Sequence, residues 1–280
     1  MLRDAGHLVK IIPPQFVKLF VKSNKNDAND AQTICEEMAR PNMHPVGIKT
    51  VEQQDIQAIH RVREELKNHR TAKANQIRGL VAEYGLVSPA QLSSLRSAIP
   101  MWLEDASNGL TMLFRQLLEG LWMDLCALDQ RMVELDKQIA IIAQENPTAR
   151  RLQQLRGISP LIATALVSTM GDGTQYRKGR DMAAAIGLTP RQHSSGGKER
   201  LLGISKRGDS YLRCLLVHGA RSAMYAAKDK DDRLSRWITN LQERRHANVV
   251  AVAMANKLAR IAWVIMSKGV DYDPDFSPAA

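Results

Sequence analysis

The sequence is poor in the residues that cross-link small secreted domains and in those that mark membrane spans. It has three cysteines, Cys35, Cys126 and Cys214, whose odd number and wide spacing exclude both a disulfide framework and a zinc-binding pattern. There is no run of roughly 18 apolar residues, so we expect no membrane-spanning segment. No apolar stretch follows the first charges, as it would in a signal peptide. These absences predict a protein of the reducing cytoplasm.

Acidic residues are also in deficit, and the deficit is local. The chain has 39 Lys and Arg against 29 Asp and Glu, a net charge of +10. Between residues 150 and 213, twelve Lys and Arg stand against four Asp and Glu, so this stretch supplies +8 of the total. A concentrated positive charge predicts a polyanionic partner, with nucleic acid first and an anionic membrane second.

Convincing strand patterns are scarce. LVKII, residues 8–12, reads as a short buried strand that follows a helix end at Gly6 and stops at Pro13. Nothing else in the chain has a pattern that could pair with it, and an isolated strand is not stable. We interpret the first residues either as an irregular lead-in or as the end of an α/β domain whose earlier strands are missing. The second interpretation explains more.

Helical periodicity dominates the middle of the chain. A helix is predicted over about 50–84, with apolar residues at Ile56, Ile59, Val62, Leu66, Ile77 and Leu80. Arg63, Lys67 and Arg70 follow a neighbouring face, which fits a solvated helix face and a nucleic-acid contact about equally well. Residues 88–100 are expected to be a connector.

A second long helix is predicted from about 110 to 144. Its apolar residues step by three and four in heptad order, which indicates a coiled-coil seam: Leu125, Leu128, Met132, Leu135, Ile139 and Ile142. The two long helices are expected to pair, either within one chain or between protomers.

The turn at residues 157–160 has the form of a link between two helices. Gly157 and Ser159 stand in a tight turn, and Pro160 occupies the first position of the next helix. Free backbone N–H groups at such a helix start can hold a phosphate, as in a helix-hairpin-helix DNA-backbone motif. An ordinary turn between two helices is the alternative, and the turn pattern alone favours it.

A long polar loop follows, with Ser194 and Ser195 beside Gly196 and Gly197. Such loops are usually only mobile. This one is flanked by cations that could hold phosphates around a hydroxyl: Arg191, Lys198, Arg200, Lys206 and Arg207. A serine attacks phosphorus only when a base or metal ion activates it, and His193 is the nearby candidate base. A helix capped by Asp209 is predicted next.

Asp27 and Asp30 lie three residues apart at a predicted helix start. This spacing places both carboxylates on one helix face, which suits a shared divalent cation. The alternative is that Asp27 caps the helix and Asp30 favours its positive end. The two roles are compatible.

Three stretches together resemble the bacterial insertion-sequence transposases of the insertion-sequence-110 family, 1111 subgroup. They are KSNKNDANDAQTICEEMARP, HRVREELKNHRTAKANQIRGLVAEYGL and GLTPRQHSSGGKERLLGISKRGDSYLRCLLVHGAR. The resemblance covers nearly the whole chain, in the same order of parts. It implies a resolvase-like RNase H domain with DEDD carboxylates that bind Mg²⁺, then a domain with a serine nucleophile that exchanges DNA strands. It also implies a structured non-coding RNA as guide, double-stranded DNA as substrate, and a homo-oligomer, dimer or tetramer.

Carried over residue by residue, the last two carboxylates match Asp27 and Asp30, and the nucleophile matches Ser195, with Ser194 as the alternative. The family's first Asp and its Glu would precede Leu2, so we expect an incomplete site and no strand cleavage by this chain with Mg²⁺ and RNA. A binding remnant without chemistry and a basic coiled-coil scaffold are the alternatives. The expected fold is mainly α: an RNase H-like remnant (1–48), long coiled-coil helices (49–147), an all-α domain with the helix-hairpin-helix (148–270) and a disordered tail (271–280).

Overall fold

The computed structural model describes residues 2, 5–12, 27–38, 46–194, 198 and 200–275. Within these residues the fold is mainly helical, as predicted, with ten helices and one two-stranded sheet. The elements in chain order are α1 (Asp27–Met38), α2 (Val51–Ala82), α3 (Leu92–Glu104), α4 (Met112–Glu145), α5 (Pro147–Gln153), α6 (Pro160–Met170), α7 (Gly179–Ala185), β1 (Pro190–Gln192), β2 (Leu201–Ile204), α8 (Ser210–Ala226), α9 (Arg233–Gln242) and α10 (Ala247–Lys268).

The first residues keep the geometry of a helix end but do not form a buried strand. Gly6 has φ of +83°, and the His7 N–H donates to the Leu2 carbonyl at 3.1 Å, which is the bond expected one residue past a helix-ending glycine. The prediction of a buried strand at residues 8–12 was wrong. Leu8 is 85% exposed, and Ile11 forms only an isolated antiparallel bridge with Val46. Among the described residues there is no sheet for this segment to join, and an RNase H-like remnant stays a prediction.

Helices α2 and α4 pack against each other in antiparallel order within one chain. Of the six residues in the predicted heptad pattern of α4, Leu125, Met132 and Ile139 are buried, and Leu128, Leu135 and Ile142 are half-buried. The expectation for Val62 was wrong, because its side chain is 41% exposed on the outer side of α2. The structure thus shows intrachain pairing, while knobs-into-holes coiled-coil packing stays a prediction.

Charged side chains join α2 and α4 along one edge. Arg63 Nη2 lies 3.3 Å from Asp136 Oδ2, and Arg70 Nη1 lies 3.3 Å from Asp129 Oδ1. Lys67 pairs instead with a glutamate on its own helix. Arg63 and Arg70 thus bind aspartates of α4 that are 73 and 59 residues away in the chain. Neither a purely solvated helix face nor a nucleic-acid contact, the two interpretations from the sequence, describes this pairing.

The connector expected at residues 88–100 is helix α3, and that prediction was wrong. Its Leu95 and Ile99 side chains are fully buried against apolar residues at the far end of α2 and the start of α4. Burying such side chains stabilises the fold by about 1.5–3 kcal/mol each. This outweighs the weak helix preference of the Ser- and Pro-containing sequence.

The C-terminal part is a helical cluster built around α10. Met254 and Leu258 are fully buried, and Trp263 Nε1 donates to the carbonyls of Gly173 and Tyr176. By length and composition alone α10 is apolar enough to cross a membrane. Half of that apolar window is buried inside the protein, which is the behaviour of a core helix.

The tail predicted as disordered makes contacts where the structure describes it. The Tyr272 N–H donates to Gln154 Oε1 at 2.8 Å, and Gln154 Nε2 donates to Asp271 Oδ1 at 3.1 Å. Residues 276–280 lie outside the described part. The expectation was therefore wrong for the first residues of the tail, because their backbone and side chains bind the start of the helical cluster.

Candidate nucleic-acid interface

The polar loop of the sequence is a β-hairpin, so the prediction of an all-α C-terminal domain was wrong. Strands β1 and β2 pair antiparallel, with Pro190 opposite Ile204 and Gln192 opposite Leu201. The His193 N–H extends the pairing by donating to the Arg200 carbonyl at 2.9 Å. Both strands are exposed along nearly their whole length. A two-stranded ribbon with so little burial is held by its base and not by a core of its own.

Two glycines fix the base of the hairpin. Gly187, with φ of +77°, faces the Arg207 carbonyl, and a Cβ there would lie 2.1 Å from that oxygen. Gly208, with φ of +73°, faces the Ala185 carbonyl, and a Cβ there would lie 1.8 Å from it. Arg213 Nη1 of α8 donates to the carbonyls of Ile186 and Arg207, at 2.9 Å each. The two ends of the hairpin are thus clamped to each other and to α8.

All five predicted phosphate-binding cations lie exposed on the hairpin or at its base: Arg191, Lys198, Arg200, Lys206 and Arg207. None of them forms an ion pair with a described residue. Lys206 has the left-handed φ of +55°, and its N–H donates to the Gly187 carbonyl. The structure therefore brings these cations to one exposed ribbon, where their side chains are accessible to a polyanion.

The two candidate serines lie at the tip. The Ser194 hydroxyl is exposed and accepts hydrogen bonds from Gln192 Nε2 at 3.0 Å and from the Arg200 N–H at 3.3 Å. Ser194 thus helps to close the turn. Ser195 lies outside the described residues. His193, the candidate base, is exposed one residue before Ser194.

Asp27 and Asp30 stand in the first turn of α1, as predicted. Asp27 is exposed and Asp30 is half-buried. In the part of the chain that the structure describes, no group of three or more His, Cys, Asp or Glu side chains could hold a metal ion. The described residues do not by themselves form a complete Mg²⁺ site, because two carboxylates supply too few of the ligands that this ion requires.

The turn predicted to bind phosphate is packed against α8. Gly157 has φ of +93°, and a Cβ there would lie 2.6 Å from the Gly219 carbonyl. The Ser159 hydroxyl accepts from the Ile162 N–H as the N-cap of α6. Both residues thus have structural roles in this turn, and phosphate binding by them stays a prediction.

Arg156, beside this turn, binds the start of α9. Its guanidinium donates to the Ser235 hydroxyl and to the Asp232 carboxylate. Burial favours the protonated form of Asp232, but the hydrogen bonds from Arg156 and Ser235 hold its pKa well below the usual range. The turn is therefore held by α8 on one side and by α9 on the other.

A buried polar contact that sequence reasoning missed lies behind the hairpin base. The His60 side chain of α2 is 4% exposed, with Nδ1 2.9 Å from the Tyr211 hydroxyl and Nε2 2.9 Å from Thr164 Oγ1. Thr164 donates its own proton to the Pro160 carbonyl. His60 must then donate from Nε2 and accept at Nδ1 from Tyr211.

Burial, reinforced by the charge of Arg63, lowers the pKa of His60 to about 4, and burial raises the pKa of Tyr211 to about 12. Both groups are therefore neutral near pH 7, as the hydrogen-bond order requires. The only signal in the sequence was that His60 stands four residues after Ile56, on the buried face of α2. An adjacent polar cavity of about 480 Å³ is lined by Lys49, Arg61 and Asp209, among others.

Two family models match two separate segments of the chain. Residues 1–86 match a DEDD transposase model, and residues 149–235 match the model described as Transposase IS116/IS110/IS902 family. The second match contains the hairpin, its cations and both candidate serines.

Similar proteins from several bacteria carry transposase names. The chain is 45% identical over 276 residues to a probable family 20 transposase of Pseudomonas aeruginosa, a match that covers 98% of this chain and 81% of the relative. It is 43% identical to the transposase for insertion sequence element IS1111A of Coxiella burnetii, over 95% of this chain and 73% of the relative. It is 42% identical to the transposase for insertion sequence element IS1328 of Yersinia enterocolitica, over 96% and 79%.

Proposed function

Because this chain belongs to the IS116/IS110/IS902 family of insertion-sequence transposases, we propose that it binds double-stranded DNA through the β1–β2 hairpin and acts in DNA strand cleavage and exchange. The observation that carries the proposal is the exposed ribbon, whose five cations form no ion pair with a described residue and whose tip carries Ser194. Cations that bind DNA phosphates neutralise their charge and release their counterions, which strengthens binding.

Ser195 is the proposed nucleophile, and Ser194 is the alternative. The hydroxyl oxygen would form a bond to phosphorus while one P–O bond of the DNA strand breaks. The serine proton would pass to His193 and then to the released DNA hydroxyl, so the number of phosphodiesters is unchanged. The hairpin arginines would stabilise the negative charge that develops on the phosphate oxygens.

The remaining assignments come from the family. Asp27 and Asp30 would hold Mg²⁺, which stabilises charge on attacking and leaving oxygens, together with further ligands outside the described residues. A structured non-coding RNA would guide the protein to its DNA. The working form would be a homo-oligomer, dimer or tetramer, in the bacterial cytoplasm.

DNA binding tests the hairpin assignment directly. Replacing Arg191 and Arg200 by glutamine should weaken duplex binding and reduce the slope of log K against log [salt] by about 0.9 for each phosphate that is no longer neutralised. Fluorescence anisotropy at several salt concentrations measures this slope. The control replaces Arg131 and Lys137, two exposed cations of α4, and should leave the slope unchanged. Equal slopes for the hairpin variant and the parent would contradict the proposal.

The serine assignment requires a covalent readout. Because the sequence predicts an incomplete carboxylate set, the parent mixed with labelled DNA, Mg²⁺ and RNA is expected to show no attachment on a denaturing gel. Attachment to the parent would refute that expectation, and it should then persist in Ser194→Ala and be lost in Ser195→Ala. Attachment abolished only in Ser194→Ala would move the nucleophile to Ser194. Equal binding with no attachment in any variant would support a nucleic-acid-binding remnant, an alternative that the absence of a three-ligand metal group among the described residues favours.

Binding specificity tests the remaining alternative, a basic scaffold for acidic partners. A scaffold would bind polyglutamate as well as duplex DNA. A transposase should prefer DNA, because binding to duplex phosphates releases the condensed counterions of DNA.

A further inference from the structure

Helices α9 and α10 carry a second group of cations that the hairpin does not include. Lys257 Nζ of α10 lies 4.7 Å from the centre of the Trp237 ring of α9, a cation–π contact that holds the ammonium group in place. Arg233 lies one turn before Trp237 on α9, and Arg260 lies one turn after Lys257 on α10. Since α9 and α10 pack together, the Lys257 ammonium on the indole ring has an arginine about one turn from the contact on each helix.

These charges raise each other's energy. Burial lowers the pKa of Lys257, and the charges of Arg233 and Arg260 lower it further, so each arginine is close enough to repel the Lys257 ammonium. Neither Lys257 nor Arg260 forms an ion pair with a described residue. Repulsion between the like charges of Lys257 and Arg260 is unfavourable in the free protein, and a bound polyanion would offset it.

The same side of α10 supports the start of the hairpin. Asn256 Nδ2 donates to the Leu188 carbonyl, two residues before β1, at 3.2 Å. One turn further along α10, a Cβ on Gly179 of α7 would lie 3.0 Å from the Arg260 carbonyl. Arg180, which follows Gly179, is exposed. Arg260 and the first turn of α7, which carries the exposed Arg180, therefore lie one helical turn along α10 from the residue that supports the hairpin.

We propose that Arg180, Lys257 and Arg260, here called the α10 basic surface, bind the phosphodiester backbone of the duplex DNA that the hairpin engages, on the flank of the hairpin site. The inference rests on the proposed function. Continuity with the hairpin favours an elongated polyanion over a small anion, because one duplex can contact both places. Trp237 and all of α10 lie outside the two matched family segments, which end at residues 86 and 235.

The salt dependence of binding to duplexes of two lengths tests this surface. Replacing Lys257 and Arg260 by glutamine should reduce the slope of log K against log [salt] by about 2 on a duplex of about three helical turns. On a short duplex that fills only the hairpin site, the slope should stay that of the parent. The exposed α4 pair Arg131 and Lys137, also replaced by glutamine, is the matched control.

The outcomes separate this inference from the proposed function. If the parent binds no duplex, the proposed function fails. If the parent binds and the hairpin variant has a smaller slope while the Lys257/Arg260 variant keeps the full slope on the long duplex, the α10 basic surface is refuted and the hairpin stands. A slope change seen only with a structured RNA would also refute the DNA assignment. If removal of the Lys257 ammonium from the Trp237 ring unfolds the double variant, Arg260→Gln alone replaces it in the experiment. The expected decrease in its slope is then about 1.

Discussion

Replacing Gly219 by alanine should destabilise the protein by about 3 kcal/mol or more. Gly219 lies in α8 where the turn before α6 crosses it, and a Cβ would lie 2.0 Å from the Gly157 carbonyl and 2.7 Å from Ile162 Cδ1. The carbonyl is backbone and cannot rotate away, and Gly157 is constrained by its own left-handed φ. The added methyl group must therefore separate α8 from the turn, which exposes part of the main core.

A second helical glycine provides the control. Gly120 lies in the exposed part of α4, and a Cβ there would meet nothing within 4 Å. Gly120→Ala should stabilise the protein by about 0.5–1 kcal/mol, because alanine has the higher helix propensity. Urea denaturation followed by circular dichroism at 222 nm measures both changes. A Gly219→Ala protein as stable as the parent would show that α8 and the turn do not approach as closely as described.

His60 should make the free energy of unfolding depend on pH on the acidic side. Its pKa is about 4 in the folded protein, below the value near 6.5 expected in the unfolded chain. A lowered pKa of this kind means that the unfolded state takes up the proton first. The stability that neutral His60 contributes is therefore fully present above about pH 6.5 and is lost as the pH falls through 4. At pH 4 this lowers the free energy of unfolding by about 3 kcal/mol.

The comparison of parent and His60→Gln isolates this contribution. Other groups titrate in the same range, so the measured quantity is the difference in unfolding free energy between the two proteins at each pH. That difference should shrink by about 3 kcal/mol between pH 7 and pH 4. A constant difference over this range would mean that His60 is not buried in its neutral form. Tyr211→Phe should destabilise the protein by about 1–3 kcal/mol at pH 7, because it leaves Nδ1 without its donor.

The features that the sequence predicted are those set by neighbouring residues. The long helices followed from apolar spacing. Their boundaries were predicted within two residues in α4, where Thr111 caps the start. The Asp209 carboxylate accepts from the Leu212 N–H at 2.9 Å as the N-cap of α8, as predicted. Each of these signals acts over four or five residues, so it can be read without knowledge of the fold.

The features that were missed depend on distant contacts. Helix α3 forms because α2 and α4 bury Leu95 and Ile99. The β-hairpin has strands of only three and four residues with exposed side chains, so no alternation of apolar and polar residues marks it. Its pairing is set at the base, by the close approaches of Gly187 and Gly208 to neighbouring backbone.

The candidate site divides in the same way. Composition identified the hairpin cations, because they are concentrated in one short stretch. The α2 arginines looked equally available to nucleic acid, and only the aspartates of α4 show that they are already paired. The contact between His60 and Tyr211 joins residues 151 positions apart, and the α10 basic surface draws on separate helices. No local sequence pattern predicts contacts between residues so far apart in the chain.

The spacing of the charged pairs between α2 and α4 bears on how these helices find their alignment. Arg63 and Arg70 are seven residues apart, and so are Asp136 and Asp129. Sliding one helix by a heptad would still place Arg63 opposite Asp129. These two pairs alone therefore leave a misaligned state close in energy to the correct one. Lys73 with Asp124 and Arg96 with Asp129 break that degeneracy. Removing these two ion pairs should therefore increase the fraction of chains that fold with α2 and α4 misaligned. Its effect on the stability of the correctly folded protein should be smaller.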